Sequence, residues 1–80
     1  MPAVSEKIRD YLVAEFGVAQ SITTEELLFS SGLLDSFSMV DLLSFVEDLA
    51  GRRIRVVDVN LDNLDSIDRI VALVERTVND

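Results

Sequence analysis

Neither cysteine nor histidine occurs among these 80 residues, so the chain has to fold on apolar burial alone. Disulfide frameworks and ordinary zinc sites are excluded, and so are thiol nucleophiles and any base of the Ser-His type. A domain this short lies near the lower limit at which one apolar core holds a fold, and it leaves no room for a second domain. With 49% hydrophobic residues, three glycines and one proline, the composition reads as a compact helical chain rather than a disordered one. Any chemistry performed here needs a borrowed functional group.

Helical periodicity sets the expected elements. Val4, Ile8, Tyr11, Leu12 and Phe16 recur at helical spacing and Gly17 supplies a stop, which predicts a first helix over Val4–Phe16. The connection from Val18 to Asp35 is unusually long for so small a domain, and such loops are functional or packed by their own side chains. Thr23 and Glu26 have capping-box spacing and predict one short turn within it, before Leu27, Leu28 and Phe29, which are expected to plug the bundle. A second helix is expected over Ser36–Ala50 with Gly51 as its stop, and a last one over Ser66–Val78 with Ile67, Ile70, Val71, Val74 and Val78 on its apolar face. Between them, Arg53–Val59 reads as an extended connection, because a lone strand has no ladder partner, and a short helix follows near Leu61–Leu64. The expected fold is all-α: a small bundle of three main helices and one minor one, with a long loop between the first and second.

Fifteen acidic residues against seven basic ones give a net charge of −8. Nucleic-acid binding is excluded on that balance, since phosphate contacts need clustered Lys and Arg, and a basic protein surface is the expected partner. The longest stretch without charge, Phe16–Thr24, has nine residues, so neither membrane insertion nor a secretory leader is expected. A cytoplasmic monomer is the default.

The informative segment is Gly32-Leu33-Leu34-Asp35-Ser36-Phe37-Ser38-Met39-Val40-Asp41-Leu42-Leu43. At about 100° per residue, Met39, Leu42, Leu43, Val46, Leu49 and Ala50 form the core face of the second helix. The opposite face carries Asp41, Ser44, Glu47 and Asp48, together with Phe37 and Val40. An apolar spot rimmed by carboxylates suits a basic, partly apolar partner, although scattered surface apolar residues are also ordinary. At the start of this helix Ser36 or Asp35 serves as an N-cap on the plain structural account. A phosphodiester on Ser36 is compatible with the same place, because its charge would lie at the positive end of the helix dipole. Asp35 would oppose that charge, so its supporting role would lie with an incoming enzyme or metal ion.

Over essentially its whole length the chain resembles the phosphopantetheine-dependent acyl and peptidyl carrier proteins. In that family a long loop ends in Gly-x-x-Asp-Ser plus an apolar residue, followed by a helix with Val, an acid and Leu. Here these are Gly32, Asp35, Ser36, Phe37, Val40, Asp41 and Leu42. Phe37 stands where Leu or Met is commoner, and Asp41 where Glu is more frequent, which bears on partner identity rather than on modification. Asp65-Ser66-Ile67 repeats the dipeptide without the upstream Gly or the acid-lined face, and Ser66 is assigned to capping the last helix.

The resemblance implies a non-catalytic, stand-alone carrier of the acyl-carrier-protein type. A phosphopantetheinyl transferase, using its own Mg²⁺, would move 4'-phosphopantetheine from coenzyme A to the Ser36 hydroxyl. The arm's thiol would hold an acyl, aminoacyl or peptidyl cargo as a thioester, and tethering would let one intermediate visit several active sites. The implied partners are that transferase, an acyl- or aminoacyl-loading enzyme, and downstream synthase or tailoring enzymes reading Phe37, Val40, Asp41, Glu47 and Asp48. Apolar Leu33 and Leu34 before Asp35 look more like discrete aminoacyl, D-alanyl or peptidyl carriers of specialised-metabolite assembly than like the fatty-acid carrier, which stays open as an alternative. A chain running from Met1 to just past the last helix, at net charge −8, fits a carrier served by separate enzymes.

Three other readings compete with this one. Asp58, Asn60 and Asp62 have the first spacings of a calcium loop, but Asn63 replaces its glycine and Arg69 its bidentate Glu, which leaves ordinary turn chemistry. An acidic helical adaptor docking through Phe37 and Val40, with no covalent group, is the second. An enzyme is the weakest, for want of acid-base equipment. Arg52, Arg53 and Arg55 read as a solvated helix end balancing the dipole of the second helix.

Overall fold

A computed structural model describes residues 3–79. In chain order these form α1 (Val4–Phe16), α2 (Ser38–Ala50), a single 3₁₀ turn (Val56–Asp58), α3 (Leu61–Leu64) and α4 (Ile67–Val78). Among the described residues there is no strand. The result is a small all-helical bundle, as the periodicity predicts.

Helix α1 has the predicted limits. Ile8 and Leu12 are fully buried on its inner face, with Val4, Tyr11 and Phe16 packed partly against the core. It stops at Gly17, whose φ of +68° turns the chain so that the Gly17 N–H donates to the Val13 carbonyl at 3.1 Å and the Val18 N–H to the Leu12 carbonyl at 3.4 Å. Helix α4 is the hub, packing against α1, α2 and α3. Its buried residues are Ile67, Ile70, Leu73 and Val74. The apolar face differs from the predicted one at two places: Leu73, which the spacing did not include, belongs to the core, and Val78, on the last turn, is 53% exposed.

The long loop is part of the core. Val18, Ile22, Leu28 and Leu34 are buried under it, so it packs by its own side chains as its length suggested. Of the expected plug, Leu28 is fully buried and Phe29 partly so, whereas Leu27 is 40% exposed. Thr23 and Glu26 form the predicted short turn, with the Thr23 N–H donating to Glu26 Oε1 at 3.4 Å.

What anchors the loop is Asp65, between α3 and α4. Its carboxylate, only 2% exposed, accepts the backbone N–H groups of Leu28 (3.2 Å), Phe29 (2.7 Å) and Ser30 (3.1 Å), and also the Ser30 hydroxyl. Leu28 N–H also donates to the Asp65 carbonyl at 2.7 Å, and Asp68 N–H donates to the Thr24 carbonyl at 3.0 Å. Burial pushes the Asp65 carboxyl upward, but the Ser30 hydroxyl and the three N–H groups favour the charged form and hold it below its ordinary value. A buried carboxylate so fully hydrogen-bonded satisfies loop donors that would otherwise be costly to bury.

The segment after α2 departs from the extended expectation. Arg55 and Asp58 close a 3₁₀ turn, with Asp58 N–H on the Arg55 carbonyl at 2.9 Å and the Arg55 guanidinium on the Asp58 carboxylate at 3.2 Å. Asn60 then caps α3, its side chain accepting from Asn63 N–H at 3.1 Å. Asn63 donates its amide to the Asp58 carbonyl at 2.8 Å and accepts from Arg76 at 2.7 Å. These residues are occupied by the turn chemistry that the broken calcium pattern left in place.

Candidate functional site

The loop delivers the chain to Ser36 through a turn that requires glycine. Gly32 has a φ of +87°, and its N–H donates to the Phe29 carbonyl at 3.1 Å. A residue with a Cβ would be strained there. Leu34 then enters the core, 4% exposed, and its N–H donates to the Leu28 carbonyl at 2.8 Å. With Leu34 pinned inside, Asp35, Ser36 and Phe37 emerge at the surface in sequence.

Helix α2 starts at Ser38, two residues later than predicted, because Ser36 and Phe37 are wound into a tighter turn. Asp35 causes this. The Ser38 N–H reaches both the Asp35 carbonyl (3.1 Å) and its Oδ1 (2.9 Å), and the Ser38 hydroxyl donates to the same Oδ1 at 3.0 Å. The next bond, Val40 N–H to the Phe37 carbonyl at 3.3 Å, has the same three-residue reach. These donors, the Ser38 N–H foremost, lower the exposed Asp35 carboxyl below its ordinary value, so it is ionised at neutral pH.

Of the two cap candidates, Asp35 takes the task. Ser36 is exposed, and its hydroxyl makes no hydrogen bond to any described residue. At the repeated dipeptide the assignment reverses: Ser66 Oγ accepts the Arg69 N–H at 3.2 Å and caps α4, as expected, in a position only 3% exposed.

The surface expected to meet partners is only partly assembled as drawn from the sequence. Phe37, just before α2, is 84% exposed and Val40 70%, and Asp41 and Asp48 are exposed on the same helix as Val40. Glu47 differs. It is half-buried, and its Oε2 accepts the Ile54 N–H at 2.8 Å, which fixes the chain leaving α2 as Ile54 enters the core. On the inner face Leu42 and Val46 are buried, with Met39, Leu43, Leu49 and Ala50 packed partly against the core as predicted.

Helical spacing along α2 did not reveal what α1 contributes. The Tyr11 and Phe45 rings stack at 4.0 Å with an interplanar angle of 8°. They lie in an open groove of about 320 Å³ that Glu15, Asp41, Ser44 and Asp48 complete. Burial raises the Tyr11 phenol above its ordinary value, and the negative charges of Glu15 and Asp41 add to the effect. The sequence signal was present in halves: Tyr11 and Glu15 are one turn apart on α1, and Asp41, Ser44, Phe45 and Asp48 form one stripe on α2. Only the packing of the two helices joins them.

Of the arginines beyond α2, two have bonds within the fold. Arg52 Nη1 donates to the Thr77 carbonyl in the last turn of α4 at 3.2 Å, and Arg55 is engaged with Asp58. No helix among the described residues is long and apolar enough to cross a membrane. Comparison with protein-family models, with curated proteins and with solved structures finds no match.

Proposed function

We propose that the chain is a carrier protein of the phosphopantetheine-dependent acyl or peptidyl type, with Ser36 as its attachment point. The observation that carries this reading is the division of labour at the entrance of α2. Asp35 spends its carboxylate on the turn, which leaves the Ser36 hydroxyl exposed and without a partner among the described residues. A serine present only to start the helix would be bonded as Ser66 is.

The site fits the group on steric grounds. Ser36 stands proud of the core on a turn fixed from behind by Leu34 and Asp35, so an incoming enzyme can approach its oxygen without unfolding the domain. Attack by Ser36 Oγ on the phosphorus of coenzyme A that bears the pantetheine forms one P–O bond and breaks the pyrophosphate link, releasing adenosine 3',5'-bisphosphate. The serine proton passes to a base of the transferase, since this chain has no histidine to take it. The attached group would supply a terminal thiol that holds cargo as a thioester.

Asp35, already charged and held by Ser38, offers a fixed carboxylate beside that oxygen for the transferase or its metal ion. Phe37, Val40, Asp41 and Asp48 are the surface left for enzymes that load, extend or tailor the cargo. The cargo class proposed is aminoacyl or peptidyl, in specialised-metabolite assembly, on the strength of Leu33 and Leu34 before Asp35. Intact mass after incubation with coenzyme A and a broad-specificity transferase tests the reading. One arm is expected on the natural chain and none on Ser36→Ala; an unmodified adaptor would gain nothing in either case.

A further inference from the structure

We infer that the surface formed by Arg53, Arg55, Val56 and Val57, at the end of α2 remote from Ser36, docks an acidic protein segment that carries an apolar residue. Binding there rests on this surface alone. The carrier reading enters only in its purpose, which is to keep the chain on one partner while enzymes visit Ser36.

The fold does not account for these side chains. Val56 is 87% exposed, more than any other large apolar residue among those described, and Val57 beside it is 73% exposed. Both lie on the 3₁₀ turn, and tight turns favour Gly, Pro, Asn, Asp and Ser over β-branched residues. The turn is held firmly from behind: Val59 N–H donates to the Val56 carbonyl at 3.1 Å, and the Asn60 amide to the Val57 carbonyl at 2.9 Å. Two valines displayed on a fixed backbone lose little further freedom when a partner covers them. Arg53 is exposed and makes no hydrogen bond or ion pair with a described residue. Arg55 is oriented by its Nε on Asp58, which leaves its two terminal nitrogens without an acceptor among the described residues.

Charge and position decide the occupant. Residues 10–51 contain eight acidic residues and no basic one, and Arg52, Arg53 and Arg55 then follow within four positions. Helix α2, with 13 residues, sets this cluster about 20 Å from the turn that presents Ser36. A basic protein suited to the acids of α2 is repelled here and an acidic one attracted, so the two surfaces sort partners by sign. All three cations are arginines, whose planar forks fit carboxylates two bonds at a time. An open groove of about 740 Å³ continues from Arg55 and Asp58 along α4 to Arg76 and Asn79, which gives the rest of an extended segment a place to lie. Glu75 also lines it, so the partner's acids belong at the Arg53 end. A lipid surface fits less well, since two valines on a turn bury too little to hold a chain of net charge −8 on an anionic bilayer. A partner held here stays in place while Ser36 is loaded, and raises the effective concentration of the arm for enzymes gathered on it.

The test uses the full chain, isotope-labelled, at low salt where exposed charges are least screened. It is titrated in turn with an acetylated, amidated peptide of glutamates around two central leucines, with the same peptide carrying glutamine for glutamate, and with phosphatidylglycerol vesicles. Saturable movement of the Arg53, Arg55, Val56 and Val57 amide signals is expected with the glutamate peptide, with Phe37 and Val40 unmoved. Arg53→Glu, at a side chain with no bond to a described residue, should weaken binding roughly three- to tenfold, as for exposed charge pairs. Val57→Ser should weaken it several-fold through lost apolar contact. No saturation, equal binding of the glutamine peptide, tighter binding to the vesicles, the same signals moving on dilution of the chain alone, or unchanged affinity in both variants would overturn the inference. Arm transfer to Ser36 should proceed at an unchanged rate with the peptide bound, and a rate that falls as the surface fills would remove its role in retention. The same assay separates the failures: an arm gained without peptide binding removes only this surface, whereas peptide binding without an arm removes only the carrier reading.

Discussion

Two Asp-Ser dipeptides, thirty residues apart in sequence, have opposite fates in the fold. At Asp65-Ser66 both side chains are buried and both are consumed: the acid clamps the loop and the serine caps α4. At Asp35-Ser36 both are exposed, the acid does the capping, and the hydroxyl is left over. Identical residues therefore give a structural joint in one place and an available oxygen in the other. The difference is which atom accepts the N–H three residues on. Since cap bonds are local and the acid and the serine are adjacent, assigning the bond to one spares its neighbour.

That contrast breaks most visibly at Asp65. Asp65→Ala removes the acceptor for two N–H groups without another partner and for the Ser30 hydroxyl, and should cost about 2–4 kcal/mol by chemical denaturation, a large part of a small domain's stability. Asp35→Ala, at an exposed turn, should cost distinctly less. If the two substitutions proved equal, the distinction between joint and open site would be lost.

Acid should reveal the same asymmetry. The Asp65 carboxyl is depressed in the folded chain below its ordinary 3.8, so its stabilising contribution is complete above that value. It is lost as pH falls through the lower folded value. Asp65→Asn should flatten this part of the acid limb, whereas a limb unchanged in shape would show that the clamp does not depend on charge.

Smaller effects separate the serines. Ser66→Ala deletes a cap and should cost about 1 kcal/mol, yet it should still accept an arm at Ser36. Ser36→Ala touches no bonded atom among the described residues and should leave the denaturation midpoint where it is. A clear loss of stability there would mean that the hydroxyl has a structural task.

Much of this architecture was legible because it is written in local patterns. The limits of α1, the stop at Gly17, the short α3 and the capping role of Ser66 follow from spacing within a few residues. Asp35 and Ser36 were both cap candidates, and geometry alone decided between them, moving the start of α2 to Ser38. What stayed hidden depends on residues far apart in the chain. The Asp65 clamp joins positions 35 to 37 residues apart, and no periodicity reports such a pair. Tyr11 reads as one more apolar position of α1, and nothing in the spacing pairs it with Phe45 until α1 meets α2. Glu47 looked like one acid among several, and only the return of the chain at Ile54 removed it from the outer face.

The most direct test is the intact mass of the chain and its two serine variants after treatment with coenzyme A and a broad-specificity phosphopantetheinyl transferase. One arm should appear on the natural protein and on Ser66→Ala, and none on Ser36→Ala. An arm that persists in folded Ser36→Ala, or a natural chain that never gains one, would contradict the account.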